Sequence, residues 1–289
     1  MVGKLKPKNS AGPDNISTKL LKRILPIIIT PLCHLFNLSL QTGFIPSQLK
    51  IAKVIPVFKS GSKHEFTNYR PISLLSSFSK LLEKIVANQI CNFLYKYNLL
   101  YEHQYGFRKG HSTSHPLIHF LSKIYTALNK PNSEYTLGVF LDLKKAFDTV
   151  DHDILLTKME HYGFRGIANK WFKNYLSQRK QFVSINGQNS PPLEISCSVP
   201  QGSVLGPLLF LIFINDLPQA TKFFTLLFAD DTTFQLSSNN LPDLFETANL
   251  ELAKAALWFQ SNKLTLNAVS YTHLRAHETS LHLVCRLLL

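Results

Sequence analysis

Two β-rich apolar runs in this chain lead straight into acid. YTLGVFLDL reaches Asp142, and FFTLLFADDTTFQL carries Asp230 and Asp231 between two apolar arms. Apolar runs of this length and residue type predict buried strands. The second run reads as a hairpin joined at Asp230-Asp231. Aspartate is among the residues least often buried unless it is paired or bound to metal. Both strands are therefore expected to lie centrally in one sheet, with helices packed on a face. Three carboxylates brought together repel one another. Divalent cations remove the repulsion, and Mg²⁺ prefers hard oxygen ligands. Two such ions about 3.5–4 Å apart can activate a hydroxyl and stabilise a leaving pyrophosphate. Neighbouring side chains in a hairpin tend to face opposite ways, so Asp230 is expected to be the fuller ligand and Asp231 the lesser. The dipeptide taken alone favours a polar turn between two strands, because Asp is a common turn residue.

The rest of the chain alternates helical and strand patterns. Asn15 or Ser17 is placed to cap a helix beginning at Thr18, which should be bent or split at Pro26 and Pro31 and end at Gly43 and Pro46. IAKVIPVFK reads as a strand, and a basic Gly-Ser loop follows it. SFSKLLEKIVANQICNFLYKY has helical spacing. A helix is expected from Pro116 to Leu128, and others in HDILLTKMEHYG and ANKWFKNYLSQ. KQFVSING and PPLEISCSV read as strands around a turn at Asn186-Gly187. PQGSVLGPLLFLIFINDL starts as a loop and becomes an apolar helix. LPDLFETANLELAKAALWFQSN is amphipathic, and KLTLN starts one more strand. This order gives an α+β class.

Charge bears on partners. Thirty-one Lys and Arg against 18 Asp and Glu leave a formal net charge of +13, which favours polyanions, nucleic acid above all. At 45% hydrophobic residues the chain can bury a core. Cys33, Cys91, Cys197 and Cys285 have neither zinc-ligand nor disulfide-scaffold spacing. The N-terminus lacks the apolar core of a signal peptide, and the greasiest runs, ILPIIITPLCHLF and LLFLIFI, are too short to span a bilayer. A soluble, intracellular protein is expected. His111, His115 and His119 recur every four residues, but Pro116 interrupts them and no fourth ligand follows, so they read as solvated or capping histidines.

Five segments, in order, carry a resemblance. NYRPISLLSSFSKLLEKI, QYGFRKGHST, VFLDLKKAFDTVDH, SVPQGSVLGPLLFLIFINDL and LLFADDTTF resemble reverse transcriptase motifs, the last three being motifs A, B and C. Together they look like the non-LTR, LINE-like retrotransposon class, over about Gly12 to Asn267. The resemblance implies a right-hand polymerase with a central antiparallel sheet packed on helices. It implies fingers at about 47–134, a palm at about 135–267 and a helical extension over 1–46.

The activity implied is RNA-directed DNA polymerisation: two-metal addition of dNTPs to a primer 3′-hydroxyl on an RNA template, in a ribonucleoprotein of nucleus and cytoplasm. The partners implied are template RNA, DNA primer or target and dNTPs, with no membrane. The cofactor implied is a pair of Mg²⁺ ions, with Mn²⁺ as a substitute. Asp142, Asp230 and Asp231 become the catalytic metal ligands. Phe147 becomes a steric gate against a ribose 2′-hydroxyl. Gln201 and Gly202 contact nucleotide and template, and Lys59 and Arg70 contact the triphosphate. Lys53, Lys63, Arg108 and Lys109 contact nucleic-acid backbone. Asp148, Asp151 and Asp153 are assigned instead to a helix start, where acids suit the dipole.

After NKLTLN the resemblance stops. AVSYTHLRAHETSLHLVCRLLL resembles translated adapter or vector sequence, so 268–289 is expected to be a non-native tail. Motif D would then be cut short and the thumb absent, as in a fragment of a larger polyprotein. The alternative function is a truncated or decayed copy that binds nucleic acid without catalysis.

Overall fold

The computed structural model describes residues 7–132, 134–195, 197–200 and 202–267. Its elements in chain order are α1 (Thr18–Thr42), β1 (Ile51–Phe58), β2 (Tyr69–Leu75), α2 (Ser77–Lys96), α3 (Ser114–Leu128), β3 (Tyr135–Leu141), α4 (His152–His161), α5 (Ile167–Leu176), β4 (Arg179–Ile185), β5 (Gln188–Asn189), β6 (Leu193–Ile195), α6 (Leu205–Ile214), β7 (Phe224–Phe228), β8 (Asp231–Ser238) and α7 (Leu241–Ser261). The chain forms two interleaved compact units. The first takes residues up to 97 together with 150–209, and the second takes 98–149 with 210 onward. Mixed helix and strand, with sheet packed on helices, gives the expected α+β class. The expected tail at 268–289 lies outside the described residues.

In the first unit Ser17 caps α1, its hydroxyl accepting from Leu20 N–H at 3.2 Å. Asn15 instead adopts a positive φ of 56° in the preceding turn. The prolines neither split nor end α1, which runs 25 residues to a left-handed Gly43. Each proline removes one helical N–H. The stripe Leu21, Leu25, Leu32 and Phe36 is buried, which holds the helix together across both losses. The expectation of a run too short to span a bilayer therefore fails: α1 is long and apolar enough to do so by length and composition alone. Here it packs on α2 and α5, and Trp171 Nε1–H donates to Ser39 Oγ at 3.1 Å. The sheet runs β2-β1-β4-β5, with β6 also on β4. β1 pairs antiparallel with β2 and parallel with β4. The turn at Asn186-Gly187 has positive φ at both residues, the pattern that Asn-Gly hairpins favour.

The second unit holds the sheet β3-β8-β7, antiparallel throughout. α3 packs against β3 and β7, and α7 against β3 and β8. Tyr105, Phe120 and Leu226 form a buried cluster on the α3 side. The acid-bearing runs do share one sheet, but only β8 is central; β3 and β7 flank it. The predicted strand in KLTLN reduces to one antiparallel bridge, Leu143 to Leu266.

Candidate active site

The three acids gather at one end of the second unit's sheet. The last registered pair of β3 and β8 is Leu141 with Thr232. Asp142 therefore leaves β3 beside Asp231, the first residue of β8. Phe228 pairs with Asp231, so the hairpin turns on Ala229-Asp230, one residue earlier than the sequence suggests. Ala229 has a φ of 60°. Positive φ at the first turn position alone is the type II′ pattern, which favours glycine. For alanine a positive φ of this kind costs on the order of 1–3 kcal/mol.

The strands behind the acids are buried, with Leu227 at 0% exposure, but the acids themselves are not: Asp230 is half-buried, and Asp142 and Asp231 are exposed. Strand ends return to solvent, and there the carboxylates keep part of their hydration. Burial still pushes both hairpin acids above the ordinary aspartate range, and neighbouring charge adds to it. Asp142 acts on Asp230, and Asp230 and Asp142 act on Asp231. Asp231 also lines a cavity of about 530 Å³ between α3 and the sheet, and Asp230 does not. Adjacent acids thus occupy different surroundings.

Asn267 is a site residue that sequence reasoning missed. Its backbone N–H donates to Asp142 C=O at 2.8 Å, and its Nδ2–H donates to Asp142 Oδ2 at 3.1 Å. Lys144 N–H bonds Thr265 C=O at 2.8 Å, so 265–267 clamps the exit of β3. Only its place as the last residue of KLTLN could have drawn attention to it. The donor set suits a hard divalent cation: oxygen-only side chains whose mutual repulsion a cation would relieve. Among the described residues, no three acidic, histidine or cysteine side chains stand close enough to hold an ion as arranged. Bare carboxylates repel, and Asp142 is turned to Asn267.

Phe147 lies half-buried in the turns after Asp142, edge-on to Phe107 at 6.2 Å between ring centroids and tilted on Phe210 at 4.8 Å. Asp151 caps α4, accepting from Asp153 and Ile154 N–H at 3.1 and 3.0 Å, and Asp153 sits in its first turn. Asp148 sits in the preceding turn. Arg108 is committed to its own loop: Nη1–H donates to Tyr101 and Gln104 C=O, both at 3.0 Å. Lys109 is exposed. His111, His115 and His119 gather around Tyr105, again without a metal-holding group.

In the first unit, strand alternation puts Lys53, Lys59 and Arg70 on one face. Lys53 pairs with Leu74 and Val57 with Arg70, and Lys59 N–H bonds Asn68 C=O at 2.9 Å just beyond. Lys53 also pairs with Phe182, which brings exposed Lys180, a residue sequence reading passed over, to the same face. Lys63 Nζ sits 5.9 Å over the Phe58 ring. Gly202 has a φ of +104°, and a Cβ there would lie 2.5 Å from Ser73 C=O. The close approach that requires glycine is thus to this chain's own β2. Gln201 lies outside the described residues.

The loop after Gly202 is held by Glu83, which the sequence left as a helix residue. Its carboxylate is 1% exposed and accepts from Val204 N–H at 2.7 Å and Tyr175 O–H at 3.0 Å. Burial pushes its pKa up, and nearby Arg179 and these donors oppose the rise.

Residues 59–274 match the family model described as reverse transcriptase (RNA-dependent DNA polymerase). Three similar proteins come from Drosophila melanogaster. The probable RNA-directed DNA polymerase from transposon BS is 34% identical over 275 residues, covering 90% of this chain and 29% of that protein. The RNA-directed DNA polymerase from mobile element jockey is 30% identical over 279 residues, or 93% and 30%. The probable RNA-directed DNA polymerase from transposon X-element is 34% identical over 229 residues, or 76% and 25%. The chain thus spans less than a third of the length of these relatives. With its ordered motifs and its acids at one sheet end, the chain belongs to the reverse transcriptase (RNA-dependent DNA polymerase) family, as a LINE-like retrotransposon reverse transcriptase domain.

Proposed function

We propose that this chain is the polymerising part of a retrotransposon RNA-directed DNA polymerase, which adds dNTPs to a DNA primer 3′-hydroxyl on an RNA template. The carrying observation is the convergence of Asp142, Asp230 and Asp231 at one end of one antiparallel sheet. Two Mg²⁺ ions, or Mn²⁺ in their place, would supply Lewis-acid activation of the hydroxyl and of the leaving pyrophosphate. In this reading the three aspartates hold the ions, Asp230 more fully than Asp231. Asn267 aims Asp142. Phe147 crowds a ribose 2′-hydroxyl and so favours dNTPs.

Lys59 and Arg70 take the triphosphate: Arg offers a planar fork and Lys a point charge. Gln201 and Gly202 belong to the loop that meets nucleotide and template. Lys53, Lys63, Arg108 and Lys109 meet nucleic-acid backbone. We assign 1–46 to a helical extension, about 47–134 to fingers and about 135–267 to the palm. That linear division is crossed by the two interleaved units.

Primer extension on an RNA template with dNTPs and Mg²⁺ tests the reading, using the full parental protein. Asp230→Ala should reduce synthesis by about 100-fold or more, since metal stabilisation of the transition state is worth several kcal/mol. Equal synthesis by both proteins would overturn it. Template binding that survives removal of Mg²⁺, with no extension by either protein, would favour a decayed copy that only binds.

A further inference from the structure

The acidic hairpin does not hold its own shape. Its turn forces Ala229, a residue with a Cβ, to a φ of 60°. Something outside the hairpin must stabilise that conformation, and segment 103–106 of the same unit lies against it. Leu227 N–H donates to His103 C=O at 3.0 Å, and Tyr105 N–H donates to Leu227 C=O at 2.8 Å. Gln104 thus forms a parallel bridge with Leu227. Gly106 then passes so close that a Cβ on it would lie 2.1 Å from Ala229 N.

The side chain of Gln104 completes the grip. It is 1% exposed. Its Oε1 accepts from Gly106 N–H at 2.8 Å and from Ala229 N–H at 3.1 Å. Both lone pairs of that oxygen are therefore used on backbone, one of them on the residue immediately before Asp230. Its Nε2 finds no hydrogen-bond partner. A buried amide with one unpaired end is kept at a cost, and the end that is used is the one aimed at the turn.

We propose that Gln104 is a positioning residue for the acidic hairpin: its buried amide oxygen holds Ala229 in the left-handed conformation and so sets where Asp230 and Asp231 point. This rests on reading those acids as metal ligands. It also gives the QYGF segment a role other than nucleic-acid contact. Glutamine suits the role because it accepts two N–H groups without adding a fourth negative charge beside three carboxylates.

The test uses the full chain with Gln104→Met, which keeps bulk but cannot accept strongly, and with Gln104→Met combined with Ala229→Gly. Glycine takes positive φ freely, so it should replace the conformational part of the lock. Hydrogen exchange at the Ala229 amide, read without metal, should quicken by about tenfold in Gln104→Met, the equivalent of one net hydrogen bond. Mn²⁺ affinity, read by EPR, should weaken by a similar factor, and the added Ala229→Gly should recover most of it. A merely structural glutamine would lower the melting temperature without that rescue. Unchanged exchange at Ala229, or lost Mn²⁺ affinity that glycine does not recover, overturns the proposal. If the wild type binds no Mn²⁺, the metal reading of the acids fails by itself, and the exchange measurement still decides the role of Gln104.

Discussion

At the scale of single residues, the acids carry opposed demands. Burial first, then neighbouring carboxylates, raise Asp230 and Asp231 above their usual range. A raised folded pKa means that the folded state holds its proton longer than the unfolded chain. The associated stability is complete below the unfolded value of about 3.8 and is lost as pH rises through the higher folded value. Without metal, the melting temperature should therefore fall as pH rises from about 3.8 through that higher folded value. Asp230→Asn should flatten that fall, and Mg²⁺ should raise the wild type at neutral pH more than this variant. Calorimetry across that range checks both; a fall of equal size in Asp230→Asn would remove the assigned cause. Phe147 is the other residue-scale case. Its ring is braced by Phe107 and Phe210 yet stays half-exposed, which suits a wall more than a core position. Phe147→Val should relax exclusion of ribonucleotides by about tenfold or more, the worth of one lost apolar contact in a pocket. Competition of rNTPs against dNTPs in primer extension measures it.

At the scale of elements, the loop that opens α6 is set by a helix far from it in sequence. Glu83 on α2 accepts from Val204 N–H, while Arg179 and Tyr175 surround its carboxylate. Arg179 is itself buried, its Cζ 4.8 Å over the Tyr175 ring. Removing the acceptor leaves the buried Val204 N–H and Tyr175 O–H unpaired. Glu83→Leu should cost about 3 kcal/mol or more in urea unfolding, whereas Glu83→Gln, which still accepts, should cost about 1 kcal/mol. Equal losses would mean that packing alone, not the acceptor, holds the loop. This dependence was invisible along the chain, where LLEKIV reads only as an amphipathic helix.

At the scale of the whole molecule, charge sets the partner class. The formal charge of +13 is spread along the sequence, but pairing of β1 with β2 and β4 puts Lys53, Lys59, Arg70 and Lys180 on one face. Phosphate contacts proposed for that face would release counterions, so affinity should fall linearly on a log–log plot against salt. Lys53→Ala should weaken RNA binding across unrelated sequences alike and lower the salt slope by about 0.9 for double-stranded or about 0.7 for single-stranded substrate. An unchanged slope in filter binding would move the contact elsewhere.

The amino-acid sequence by itself determined the α+β class, the existence of the two acid-bearing runs and the family, because apolar periodicity and ordered motifs are local. It placed the hairpin one residue late, since an alanine in left-handed conformation gives no local sign of itself. It allowed a split of α1 at Pro26 and Pro31, which the helix runs through. Tertiary structure alone decided that the acids sit at solvent-facing strand ends, that Asn267 is joined to Asp142, and that Gln104 and Glu83 hold loops more than 100 residues away. Those contacts come from buried polar groups that must find partners wherever the fold offers them, and one strand of letters does not show where that will be.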